Sequence, residues 1–112
     1  MCTKSQIKNI TDAMVREYRQ IYGDAIADII LFGSYARGDY DDESDIDIVG
    51  IVHGTRYQLQ HKLKLLWDMS ADLGLDNDIV ISPSVIPYDE YIKHKSTLPY
   101  YRNIDKEGIK IG

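Results

Sequence analysis

The stretch from Ala27 to Val52 constrains this chain more than any other. A β-branched-rich apolar run, Ala27 to Phe32, stops at Gly33-Ser34, and after ten intervening residues Asp45-Ile46-Asp47-Ile48 opens a second apolar run that reaches Val52. Both runs have the composition and length of buried strands. Ser34 to Arg37 starts a helix or helical turn, and Gly38 to Ser44 is acidic, begins on glycine and lacks apolar periodicity, which predicts a loop. Polar and apolar residues alternate only at the start of the second run, so that strand has one end at a solvent-filled site.

Helical spacing flanks this stretch. Ile7, Ile10, Met14, Val15, Tyr18 and Ile21 predict a helix from Ser5 to Tyr22 with Gly23 as its cap. Leu59, Leu63, Leu66, Trp67 and Leu73 predict another from Tyr57 to Leu73, stopped by Gly74. A third strand is expected from Asp76 to Ser82, ended by Pro83. Short helices around Tyr88 to Lys95 and Pro99 to Lys106, then an extended tail at Ile109 to Ile111, complete the reading.

A chain of 112 residues suits one compact domain, taken here as 1–112, without metal or disulfide staples. The only cysteine, Cys2, allows no internal disulfide and no cysteine-based metal cluster. No basic, apolar leader opens the sequence, and the run Ala25 to Phe32, broken by Asp28, is too short to span a bilayer, so a cytoplasmic protein is expected. A net charge of −5 argues against extended nucleic-acid binding, which needs clustered Lys and Arg.

The chemistry lies in the two aspartates. Residues two apart on a strand point to the same side, about 6.5 to 7 Å apart along the chain. Two carboxylates held there repel unless a divalent cation sits between them, and Mg²⁺ takes a few carboxylates and completes its shell with water and substrate phosphates. Gly33 lets the backbone approach a phosphate closely, Ser34 adds a hydroxyl, and the free N–H groups of a helix start favour an anion. Arg37, one turn on, can neutralise a phosphate oxygen. If two metals flank an in-line displacement at phosphorus, a third carboxylate is needed. Asp78, near the start of the third expected strand, is the choice, with Asp76 on the same side as its competitor.

Gly33-Ser34-Tyr35-Ala36-Arg37-Gly38 followed by Ser44-Asp45-Ile46-Asp47-Ile48 resembles the signature of the DNA polymerase β-like nucleotidyltransferase superfamily, and the short chain resembles its minimal members. The motif covers about a seventh of the chain, and the order of elements around it extends the likeness to most of the rest. The resemblance implies an α/β (α+β two-layer) fold, a mixed β-sheet packed against helices. It places Gly33 and Ser34 on the triphosphate of ATP, and it makes Asp45, Asp47 and Asp78 catalytic ligands of two Mg²⁺ ions. Several minimal members are antitoxins that silence a HEPN-type ribonuclease toxin by adding AMP to a tyrosine, so a protein partner of that kind is the expected acceptor. With no room for a second substrate-binding domain, an acceptor that brings its own hydroxyl fits best. A small-molecule acceptor such as an aminoglycoside, and a binding module without catalysis, are the rival readings.

Plainer roles compete for several residues. Asp39, Asp41, Asp42 and Glu43 read as a solvated acidic surface, and an EF-hand fails because Ser44 replaces the turn glycine and Gly50 the twelfth-position acid. Ser34 can be an N-cap, and Arg37 a structural ion-pair partner. His53, His61 and His94 lack metal-ligand spacing. Tyr88, Tyr91, Tyr100 and Tyr101 are expected to pack the last helices.

Overall fold

The computed structural model describes residues 3–112, so Cys2 and the expectation attached to it lie outside the described residues. The first helix, α1 (Lys4–Tyr22), starts where Thr3 and Gln6 close a reciprocal capping box. One stripe of it buries Ile10, Met14, Tyr18 and Tyr22. Gly23, at φ 57°, ends the helix, and a 3₁₀ turn leads into β1 (Ile26–Phe32). A single helical turn, α2 (Ser34–Arg37), and an irregular loop precede β2 (Ile46–Val52). Then follow α3 (Arg56–Asn77), β3 (Ile81–Pro87), α4 (Tyr88–His94), α5 (Pro99–Glu107) and the short β4 (Ile109–Lys110).

The strands form one mixed sheet in the order β3-β2-β1-β4, with β2 parallel to β3 and β1 antiparallel to both its neighbours. Strand alternation splits the side chains between two faces. Ile29, Leu31, Ile46, Ile48, Val52, Ile81 and Val85 join α1 and α3 in the larger core. Ile30, Val49, Ile51 and Ile86 face the other way, where Tyr91 of α4 and Ile104 of α5 seal a smaller one. The fold is the α+β arrangement with a mixed sheet that the sequence led us to expect.

Three boundaries differ from expectation, and each has a physical reason. Helix α3 does not stop at Gly74. It runs on to Asn77 and closes with Asp78 in the left-handed region (φ 55°, ψ 46°), whose amide donates to the carbonyls of Gly74 and Leu75. Gly74 is glycine because the chain doubles back over it: a Cβ there would lie 2.5 Å from the Ile79 carbonyl oxygen, and the Ile79 amide bonds the Gly74 carbonyl at 3.0 Å. Strand β3 accordingly starts at Ile81 instead of Asp76, and Pro83 lies inside it, paired with Ile48. Because β3 is an edge strand, a missing donor on its open side costs no ladder bond.

Tyr18 joins the helical layer to the sheet. Its ring lies on Gly50, where a Cβ would come within 2.7 Å of it. Its hydroxyl donates to the carbonyl of Ser84 at 2.8 Å, with that of Ile48 at 3.2 Å, and accepts the Ser84 amide at 3.2 Å. Burial holds its proton far above the ordinary tyrosine range, and burial also pushes the Tyr22 hydroxyl up to about 12. Tyr18→Phe leaves buried backbone groups short of a partner, so a urea titration should show a loss of about 1–3 kcal/mol; unchanged stability would show that these bonds are dispensable. Tyr22 holds its proton more tightly folded than unfolded. Its contribution is therefore complete below pH 10.0 and lost as pH rises towards 12, a decline that Tyr22→Phe should flatten.

Candidate active site

The site is built where β1 ends beside the start of β2. Antiparallel pairing sets Phe32 opposite Asp47, which leaves Gly33 against the aspartate itself. A Cβ on Gly33 would lie 2.6 Å from Asp47 Oδ2, and its φ of 79° is one that other residues rarely adopt. Only glycine lets the strand turn here without moving the carboxylate. The Gly33 carbonyl then accepts the amides of Ala36 and Arg37, both at 3.1 Å, to form α2, which Gly38 ends at φ 86°. Gly33, not Ser34, is the N-cap residue, so the half-buried Ser34 is the first residue of the turn. The N–H groups at the start of such a turn have no partner within it and face outward as donors.

The loop that follows is tied at both ends. Tyr40 stacks on the buried Tyr35, ring centroids 4.3 Å apart. The Asp41 carboxylate accepts the Glu43 amide at 2.9 Å and the Ser44 hydroxyl at 3.2 Å, while Ser44 Oγ accepts the Asp41 amide at 2.9 Å. Asp41 is thus occupied in shaping the entry to β2.

Asp45 is exposed and Asp47 half-buried. Alternation along β2 puts Asp47 on the face of Val49 and Ile51. Burial raises the Asp47 carboxyl above the ordinary carboxylate range, the charge of Asp45 raises it further, and Arg37 partly offsets both. Arg37 itself pairs with Asp39 at 3.2 Å and with Glu107 of α5 at 3.5 Å, at the exposed mouth of the site. Its charge reaches Asp47 while its nitrogens meet these two acids.

Asp78 does not stand on a strand beside this pair. Because β3 begins at Ile81, Asp78 caps α3 and Asp76 lies on that helix, both exposed. The residue paired with Asp47 on β3 is Ser82. Asp78 lines, with Asp45, Ser44, Trp67, Leu75 and Val80, one groove of about 610 Å³. Among the described residues no three His, Cys, Asp or Glu side chains converge to cage an ion by themselves. The residues nevertheless suit Mg²⁺: burial and the charge of Asp45 raise the cost of ionising Asp47, and an ion held by one or two carboxylates takes its remaining ligands from water and phosphate.

Sequence reasoning missed Tyr100. It was expected to pack a terminal helix, yet it remains half-exposed, crosses Phe32 edge-on at 6.0 Å, and sets its hydroxyl against Ser84 and within range of the Asp47 charge. No period or motif in the sequence links α5 to the carboxylates.

A strand-turn-strand unit with Gly-Ser at the turn and two acids opposite defines the class, and comparison agrees. Residues 7–110 match the model of the nucleotidyltransferase domain, and the chain belongs to that family of enzymes. Within it, a Methanocaldococcus jannaschii protein provisionally named a protein adenylyltransferase is 35% identical over 108 residues, covering 96% of each chain. The protein adenylyltransferase MntA of Thermococcus cleftensis is 33% identical over 85 residues, 76% of this chain and 83% of that one. A crystal structure of a toxin-antitoxin with AMP-PNP superposes with a TM-score of 0.53 over 92% of this chain and 70% of that one, and at 17% identity it supports the fold alone.

Asp47 binds its proton more tightly folded than unfolded, so the fold loses stability as pH rises from about 4 through the raised value. In chelator at pH 7, Asp47→Asn should therefore melt at a higher temperature than wild type, and the two should converge as pH falls below about 4. Equal melting temperatures at neutral pH would contradict this account of the site.

Proposed function

We propose that this chain transfers AMP from Mg²⁺-ATP to a hydroxyl on a protein partner and releases pyrophosphate, with a HEPN-type toxin as the partner and the chain as its antitoxin. The observation that carries the reading is the fit of bare Gly33 against Asp47, which leaves a backbone surface and a carboxylate pair facing one ligand. A triphosphate carrying Mg²⁺ is a ligand that meets both, its phosphates on the backbone and its cation on the carboxylates. The relatives named as protein adenylyltransferases support AMP and a protein acceptor.

In this reading the amides at the start of α2 and the Ser34 hydroxyl hold phosphate oxygens, and Arg37 exchanges part of its pairing with Asp39 and Glu107 for a phosphate. Both of those pairs are exposed, and such pairs are worth about 0–1 kcal/mol, so the exchange is cheap. Asp45 and Asp47 hold the metal, which when bound supplies Lewis-acid stabilisation of charge on the phosphates. One ion on two carboxylates is the simplest arrangement; a second ion needs a further carboxylate, a role for Asp78, which lines one groove with Asp45. The reading places the protein in the cytoplasm, beside its partner and its ATP, and no helix among the described residues is long and apolar enough to cross a membrane.

The test is transfer from labelled ATP in an extract of the source cells. Label from the α-phosphate, and not from the γ-phosphate, should appear on a discrete protein with wild type, and Asp47→Ala should reduce it by at least about 100-fold, the scale of losing a group that acts on transition-state charge. Label from the γ-phosphate would indicate phosphoryl transfer instead. No transfer from any nucleotide to protein, nucleic acid or small molecules would leave a binding module.

A further inference from the structure

We propose that Tyr100 is an acceptor within the chain itself: with nucleoside triphosphate bound and no partner present, the protein nucleotidylates its own Tyr100 hydroxyl. The inference rests on the transfer chemistry proposed above and adds a modification site to it.

Three independent placements converge on this residue. The ring of Tyr100 meets Phe32 edge-on, 6.0 Å between centroids at 87°, and Phe32 is both the residue before Gly33 and the strand partner of Asp47. The hydroxyl lies near the Ser84 side chain and near enough to Asp47 to feel its charge. Ser84 lies two residues after Ser82, the β3 partner of Asp47, and so shares its face of the sheet. Tyr100 is also 50% exposed, so the residue as a whole is not sealed in a core.

Other tyrosines are placed differently. Tyr18 is fully buried with its hydroxyl bonded to Ser84 and Ile48, Tyr22 bonds the Leu59 carbonyl at 2.8 Å, and the most exposed, Tyr57, stacks beside His61 on α3. Tyr91 is buried and turned to Asp105. Tyr100 alone of these five has its oxygen on the ligand face of β2 and β3.

The step balances without a further reactant. The Tyr100 oxygen bonds the α-phosphorus, the bond from that phosphorus to the bridging oxygen breaks, pyrophosphate leaves, and the phenolic proton passes to solvent. No docking is needed, because the acceptor is held beside the site by the fold, and such proximity raises the effective concentration of a reactant greatly. Ile104 packs α5 into the core on this face of the sheet, which keeps the helix bearing Tyr100 over the site. A chain so modified carries a nucleotide where the next substrate binds, so self-transfer limits transfer to a partner.

Purified full-length chain, incubated with Mg²⁺ and ATP and no other protein, should gain the mass of one AMP, mapped to Tyr100 by fragmentation. Tyr100→Phe, which keeps the ring on Phe32, should abolish that gain while its circular dichroism matches wild type, and Asp47→Ala should abolish it too. A wild-type preparation that adenylylates a protein of the cell extract but leaves its own Tyr100 unmodified overturns this inference and leaves the proposed function standing. AMP mapped elsewhere in the chain, or gained equally by Tyr100→Phe, also overturns it. Wild type that transfers AMP neither to itself nor to any extract protein overturns both.

Discussion

The antiparallel register of β1 on β2 is the constraint from which the site follows. It sets Phe32 opposite Asp47, so the first residue beyond β1 has to turn beside a carboxylate oxygen, and only a residue without Cβ can do so. The same contact half-buries Asp47 next to Asp45, which raises the cost of ionising Asp47 and favours positive charge beside it. A binding surface and an electrostatic demand therefore arise from one backbone arrangement. Shifting the register by one residue would turn Asp47 into the larger core and leave Gly33 with no carboxylate to meet.

The opposite edge of the sheet is held by Tyr18. Its hydroxyl reaches the backbone of Ser84 and of Ile48, so it bonds β2 and β3 at the level of their junction, and Gly50 makes room for its ring. This anchorage goes with a β3 that begins at Ile81, later than its apolar pattern suggests, and that places Ser82 level with Asp47. The turn-back of α3 over Gly74 supplies the extra residues, with Asp78 taking the left-handed position that ends it. Helices α4 and α5 then cover the second face and bring Glu107 to Arg37 and Tyr100 to Phe32.

Much of this was legible in the residues. The helical stripe of α1, the apolar runs of β1 and β2, the turn at Ser34 to Arg37 and the short terminal helices all come from local periodicity, and the structure has each within a few residues of its expected place. The misplaced boundaries came from residues with two physical meanings. Gly74 reads as a helix stop, but glycine also permits close approach of another strand of backbone, which is its use here. Pro83 reads as a strand end, yet an edge strand tolerates it. Asp78 was expected on that strand and instead ends α3, and Ser34 as a cap followed from not knowing that Gly33 already held that position. Tyr100 could not be found at all, since it lies 53 residues beyond Asp47 in a segment whose pattern speaks only of packing.

By itself the sequence determined the elements and the chemical types at the turn: glycine where no side chain fits, a hydroxyl after it, and two acids on one face of a strand. Those are local properties, written in spacings of two to four residues, which is the range over which backbone geometry repeats. Only the tertiary structure decided which strand stands beside which, that Ser82 and not Asp78 faces Asp47, that Arg37 already has Asp39 and Glu107 as partners, and that a tyrosine from α5 comes to the carboxylates. The physical reason is that register and edge position depend on contacts between residues far apart in the chain, such as Tyr18 with Ser84, which no local pattern encodes.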